Sequence, residues 1–193
     1  MKFINHVHKR LAALEPRNLS AGYTREAAVL MPFFTFENEP CLLLTLRTQE
    51  VETHKGQISF PGGMREENED LWRTALRETY EEVGIEESRI KYLGRFHDYI
   101  SITGYRVTPF VGYIESPFKT VPQVREVAEI LQVPIDTFMD PNRLRIEKTD
   151  RYPGESHVYY YSFGTHQIWG LTARILKDFF DMLQSTSDEQ KNG

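Results

Sequence analysis

The sequence predicts an α/β protein, a sandwich built on a mixed β-sheet, and three observations predict it. Apolar runs rich in β-branched and aromatic residues recur along the chain and read as strands. Three other stretches, one near each end and one in the middle, place apolar residues at helical spacing. The resulting order is helix, strands, helix, strands, helix, which fits a mixed sheet rather than a doubly wound βαβ array. The chain has 193 residues, which corresponds to a single domain over 1–193 with a helical N-terminal extension over 1–20.

The first element covers 1–14, where Phe3, Ile4, Val7, Leu11 and Leu14 share one helical face. It should stop near Glu15-Pro16, because the residue before proline avoids helical backbone. The same basic, acid-poor stretch has the composition of a transit peptide, the blander helix reading being preferred. Residues 26–36 read as a strand, Asn38-Glu39-Pro40 as a turn, and 41–47 as a second strand apolar enough to be central. A short strand over 57–60 is broken by Pro61-Gly62-Gly63. Residues 70–83 form the clearest helix, with Leu71, Ala75, Leu76 and Val83 on its apolar side and Gly84 where a C-cap belongs. Strands follow over 90–100, 105–114 and 126–134, then a short helix over 135–139. Residues 143–148 and 158–163 suit a late hairpin. Helical spacing of Leu171, Ile175, Leu176, Phe179 and Leu183 closes the chain over 170–183.

Composition narrows the partners. Net charge is −5, which argues against general nucleic-acid affinity. No run of about 18 apolar residues is present, so no membrane-spanning helix is expected. Cys41 is the single cysteine, which rules out an internal disulfide and fits a reducing, cytoplasmic setting.

The stretch 63–85 carries the chemistry. It runs Gly63, five residues, Glu69, seven residues, then Arg77-Glu78-Thr79-Tyr80-Glu81-Glu82-Val83-Gly84-Ile85. Glu78, Glu81 and Glu82 stand at i, i+3 and i+4, on one face of a helix, where like charges repel. Such crowding makes sense around a hard divalent cation, and oxygen ligands suit Mg²⁺ or Mn²⁺. Gly62 and Gly63 allow a tight turn and close approach of backbone to a ligand. Glu69 sits near the helix start, where it complements the dipole or caps the first turn, and Arg77 can pair with Glu81 or Glu69. The bland alternative is a solvated acidic face; the full spacing behind a Pro-Gly-Gly turn argues against it.

This stretch resembles the Nudix box: Gly, five residues, Glu, seven residues, Arg-Glu, an aliphatic residue, any residue, Glu-Glu, any residue, Gly and an aliphatic residue. Every fixed position matches. Thr79 departs, standing where an aliphatic residue is usual, and is expected to face the core. The resemblance implies an α/β/α sandwich that hydrolyses a nucleoside diphosphate linked to another group with Mg²⁺ or Mn²⁺. It implies Glu78 and Glu82 as main metal ligands with Glu81 assisting, Glu69 and Arg77 bracing, and Glu82, Glu81 and Arg77 as the candidate catalytic residues. The Gly63 backbone carbonyl is a further candidate ligand.

The preceding segment has Leu43-Leu44-Thr45-Leu46-Arg47-Thr48, Gly56 and Phe60-Pro61-Gly62-Gly63. Its spacing is similar to the signature of Nudix coenzyme A pyrophosphatases. Thr48 replaces a small Ser or Ala there, and Glu52 replaces an Arg, reversing a charge. Segments 126–134 and 168–176 also look like that subfamily. The resemblance implies cleavage of coenzyme A to 3′,5′-ADP and 4′-phosphopantetheine, and it is compatible with a homodimer. Arg47, His54 and Lys55 are the candidate substrate-binding cations. Within the same chemistry the alternative is an ADP-ribose or nucleotide-sugar pyrophosphatase, favoured by Glu52. A non-catalytic nucleotide sensor belongs to another class and predicts lost ligands, whereas all three glutamates are present.

Outside the box, Glu126 or Glu129 is a candidate carboxylate for the water, each weighed against a surface salt bridge. His6 and His8 point apart on a helix, so a metal role is not expected. Trp169 reads as packing the closing helix, and the tyrosines Tyr159, Tyr160 and Tyr161 as core or rim packing, with stacking of one of them on a base as the alternative.

Overall fold

The computed structural model describes residues 2–49, 56–150 and 157–185. Among these residues four α-helices and eleven strands follow in the order α1 (Lys2–Ala12), β1 (Arg25–Phe36), β2 (Glu39–Arg47), β3 (Ile58–Ser59), β4 (Gly62–Met64), α2 (Leu71–Val83), β5 (Ile90–Arg95), β6 (Tyr99–Ile100), β7 (Tyr105–Ile114), β8 (Val127–Pro134), α3 (Asp136–Met139), β9 (Leu144–Lys148), β10 (His157–Phe163), β11 (His166–Trp169) and α4 (Gly170–Gln184).

The main sheet runs β3-β2-β1-β7-β5, with β8 on β2, β4 on β1 and β6 on β7. The β1–β7 pair is parallel and the others are antiparallel, so the sheet is mixed, as the element order predicts. β9, β10 and β11 form a second, antiparallel sheet.

Strand alternation builds a core on each face of the main sheet. In β1, Met31 and Phe33 point to the side of α1 and α4, and Leu30 and Phe34 to the side of α2. The layers are therefore α/β/α. Phe33 stacks on Phe179 of α4, and Leu76 and Val83 of α2 join Leu30 in the other cluster. Burying two such faces supplies the main driving force for the fold.

Several expectations need correction. α1 ends at Ala12, short of the extension drawn to residue 20, and it is part of the core: Val7 and Leu11 are buried. The first hairpin turns at Glu37 and Asn38, both with positive φ, which leaves Pro40 inside β2 opposite Thr35. Gly62 and Gly63 do not simply break structure but pair with Val29 and Ala28 as β4. The strand expected over 90–100 is two strands, β5 and β6. β11 was not expected; its four residues are too short to show a period, and pairing with β10 defines it.

Candidate active site

α2 is set by its ends. Asp70 caps the N-terminus, its carboxylate accepting from the amides of Trp72 and Arg73, and Gly84 closes the C-terminus at φ 71°. The cap expected of Glu69 thus belongs to Asp70. Glu69 turns inward instead, accepting from Thr74 Oγ1 at 2.7 Å and from Arg77 Nε at 2.9 Å. The Arg77 hydrogen bond holds the Glu69 carboxyl down at about 2. Thr79 faces the core as expected, fully buried, and its hydroxyl donates to the Ala75 carbonyl at 2.6 Å.

Arg77 is the hub beside the acidic face. Besides Glu69 it contacts Glu78 at 2.8 Å, Glu81 at 3.2 Å and the Met64 carbonyl at 3.0 Å. Its last contact ties α2 to β4, so the helix and the glycine turn are held together. The proximity of Glu78 to that turn explains Gly63: a Cβ there would stand 2.4 Å from Glu78 Cδ. At Gly62, with φ 155°, a Cβ would meet the Ala28 carbonyl oxygen at 2.4 Å.

The three box glutamates are not equivalent. Glu82 is 3% exposed and faces inward, where the Gly62 backbone N–H and Arg47 favour its charged form. Burial pushes its carboxyl up to about 8, with Arg47 opposing and Glu78 and Glu126 reinforcing the rise. Burial also raises Glu78, against the pull of Arg77. Glu81 is 56% exposed at its side chain and is held by Arg77. Among the described residues no three His, Cys, Asp or Glu side chains form a ready cation cage. Arg77 holds Glu78 and Glu81, while Glu82 lies beside Arg47.

The donor set nevertheless fits a hard cation. Glu82 Oε2 is buried without a hydrogen-bond partner, and a buried carboxylate oxygen in that condition calls for a proton or a metal. Glu78 lies against the same turn, and the charge of Glu126 acts on both Glu78 and Glu82. Oxygen-only donors of this kind match Mg²⁺ or Mn²⁺.

Of the outer residues, Arg47 ends β2 with Nη1 3.6 Å from Glu82 Oε1. Glu126 immediately precedes β8 and is exposed, its charge acting on Glu78 and Glu82, whereas Glu129 pairs with His166 Nε2 at 3.5 Å. His54, Lys55 and Glu52 lie outside the described residues. Trp169 stacks on Tyr160 at 6.4 Å and lines the cavity beside Arg47, Tyr161 is buried, and His6 bonds the Leu183 carbonyl at 3.0 Å.

A cavity of about 350 Å³ opens beside Arg47, Gly62 and Gly63. Its walls include Ile58, Val107, Leu171 and Ile175, with Ile102 on the turn between β6 and β7. Sequence reasoning did not find it, because it assembles from β3, β7 and the β11–α4 junction, more than a hundred residues apart.

The sequence matches the NUDIX domain family over residues 24–161. The chain belongs to the Nudix hydrolase family. It is similar to the uncharacterized Nudix hydrolase NudL of Photorhabdus laumondii, 34% identical over 94% of this chain and 96% of that protein. Its likeness to the protein of the same name from Yersinia pestis is 38% identity over 91% of this chain and 90% of that one. Among solved structures, the MutT protein of Methanosarcina mazei superposes with TM-score 0.54 at 18% identity, covering 91% of this chain and all (100%) of that one. A MutT/nudix protein of Enterococcus faecalis gives TM-score 0.54 at 14% identity over 93% of this chain and 67% of that one. These two show a shared Nudix fold. As a Nudix hydrolase the protein is a pyrophosphohydrolase, and Nudix hydrolases generally use divalent cations such as Mg²⁺ or Mn²⁺. No helix among the described residues is long and apolar enough to cross a membrane.

Proposed function

We propose that this Nudix hydrolase cleaves the pyrophosphate bond of coenzyme A or its derivatives, giving 3′,5′-ADP and 4′-phosphopantetheine or its acyl form. The observation that carries the substrate reading is the cavity. It begins at Arg47 and the glycine turn, where the phosphates belong, and continues along a mostly apolar wall that also carries the hydroxyls of Ser59, Ser101, Thr103 and Thr172. Such walls suit a long, weakly polar arm.

In this reading Glu78 and Glu82 hold Mg²⁺ or Mn²⁺, with Glu81 and the Gly63 carbonyl at the rim. The bound cation supplies charge neutralisation at the pyrophosphate and a more acidic water. Arg47 orients the phosphates through its guanidinium. A water oxygen bonds to phosphorus as the bridging P–O bond breaks, and the bridging oxygen leaves on the other phosphate. Glu126 accepts the water's proton. Arg77 and Glu69 keep the helix face aligned without touching substrate.

A substrate panel in Mg²⁺ or Mn²⁺ tests this reading: coenzyme A, dephospho-coenzyme A, acyl derivatives, ADP-ribose, UDP-glucose and NADH. Highest kcat/KM on the coenzyme A group is expected. Preferred cleavage of ADP-ribose or UDP-glucose would replace the substrate reading while keeping the chemistry, and metal-independent binding without turnover would replace both.

A further inference from the structure

Thr48 follows Arg47 at the end of β2 and is 9% exposed. Its hydroxyl donates to the Arg125 carbonyl at 2.8 Å, and its backbone N–H donates to the Glu126 carbonyl at 2.9 Å. Those two carbonyls belong to the peptide planes on either side of the Glu126 Cα. Fixing both planes fixes the direction of the Glu126 Cα–Cβ bond. The rest of the loop is held from α2: the Gln123 amide donates to the Glu82 carbonyl at 2.9 Å and the Val121 amide to the Val83 carbonyl at 2.8 Å. The Gln123 carbonyl in turn accepts from the amides of Glu126 at 2.9 Å and Val127 at 2.8 Å.

The strand pairing adds a second device. Leu46 pairs with Glu129 but Arg47 pairs with Val127, so the register shifts and Ala128 is the extra residue. A bulge of this kind bends a strand and re-aims neighbouring side chains, and bulges are common beside active sites. Here it falls between Glu129, which turns to His166, and Glu126, whose charge reaches Glu78 and Glu82.

We propose that Thr48 is a positioning residue, whose hydroxyl aims Glu126 at the carboxylates of α2. This rests on the reading of Glu126 as the proton acceptor. The hydroxyl is the part that matters, since among the described residues it is what holds the Arg125 carbonyl, while the backbone bond to Glu126 survives any side-chain change. Thr48, Glu126 and the Glu82 backbone form one hydrogen-bonded unit. Displacing the loop therefore moves the proton acceptor relative to the metal-binding helix.

The test compares steady-state kinetics of Thr48→Val, Thr48→Ser and Glu126→Gln with Mn²⁺, on whichever panel substrate the wild type cuts best, with thermal melts of each. Valine keeps the shape and removes the donor. Its kcat is expected to fall roughly 10- to 100-fold with KM little changed, as for a small misplacement of a catalytic group. Serine is expected to restore kcat. Thr48→Ala, which removes the same donor without the methyl bulk, serves in the same role if the valine protein folds poorly. Wild-type kcat per folded site in the valine or alanine protein, or a loss that serine does not restore, overturns the role of Thr48. Wild-type kcat in Glu126→Gln overturns the reading of Glu126 and the inference with it. Impaired Glu126→Gln beside unimpaired Thr48→Val overturns the inference alone.

Discussion

Arg47 Nη1 stands 3.6 Å from Glu82 Oε1, joining the end of β2 to the last turn of α2. A residue expected to hold phosphate and a residue expected to hold metal thus face each other across the sheet–helix junction. Arg47 is the positive charge that most opposes the rise of the Glu82 carboxyl among the described residues. Its own Nε is buried without a hydrogen-bond partner, so the guanidinium is incompletely satisfied by the protein. An anionic substrate group would complete it. Removing Arg47 leaves the most buried box carboxylate without its counter-charge. Arg47→Ala is expected to lower stability by about 1–2 kcal/mol in chelator at alkaline pH, less than for a fully buried pair, and Mn²⁺ should recover most of it. Denaturant titration with and without Mn²⁺ measures both. Arg47→Lys should recover little of the substrate KM, because a point charge does not replace a planar fork.

The pH dependence of the metal-free protein follows from Glu82. Its carboxyl is raised from 4.5 to about 8, so the folded state binds this proton more tightly than the unfolded chain does. The contribution is favourable below the unfolded value and is lost as pH rises through the folded one. Stability in chelator should therefore fall between about pH 4.5 and 8, by an upper limit on the order of 4 kcal/mol. Glu82→Gln should flatten that slope. Denaturant midpoints in chelator across this range check it; a parallel slope in the glutamine protein contradicts it.

Glu69 has the opposite sign. Arg77 lowers its carboxyl from 4.5 to about 2, so its stabilisation is present above the unfolded value and disappears as pH falls towards the folded one. Glu69→Gln is expected to cost about 1–3 kcal/mol at neutral pH, the range for a hydrogen bond to a charged group, and to lose less on acidification than the wild type. Acid unfolding curves of the two proteins decide it.

Gly63→Ala places a methyl where the Glu78 carboxyl now lies, 2.4 Å from Cδ. Gly63 has no positive φ, so the backbone tolerates alanine. The melt should shift by a few degrees at most, while Mn²⁺ affinity falls about 10-fold or more, as when a group that orients a ligand is lost. Calorimetric Mn²⁺ titration reads this, and unchanged affinity would remove Glu78 from the ligand set.

Much of this architecture was legible in local pattern. β7 spans 105–114 as the residues predict, and α2 carries its apolar side and its Gly84 stop where the spacing puts them. Phe33 and Phe34 alternate between the two cores as a central strand requires. The box glutamates were legible as a set, but their differences were not. Glu82 is buried and Glu81 exposed because of neighbours from β2 and β4, which helical spacing does not encode. Thr48 could be noted only as a departure from a signature; its bond partner Arg125 is 77 residues away. The cavity has the same origin, since its walls meet only after the sheet and the α4 junction close.

Glu82→Gln gives the most direct measurement, with Mn²⁺ binding and pyrophosphate hydrolysis recorded on the same folded preparation. The amide keeps the size of the side chain and removes the charge that a cation needs. The expected result is a melt at least as high as wild type in chelator, weakened Mn²⁺ binding, and turnover reduced by more than about a hundredfold, the upper range for loss of a supporting group. Wild-type turnover in that protein, with Mn²⁺ affinity unchanged, would contradict the account.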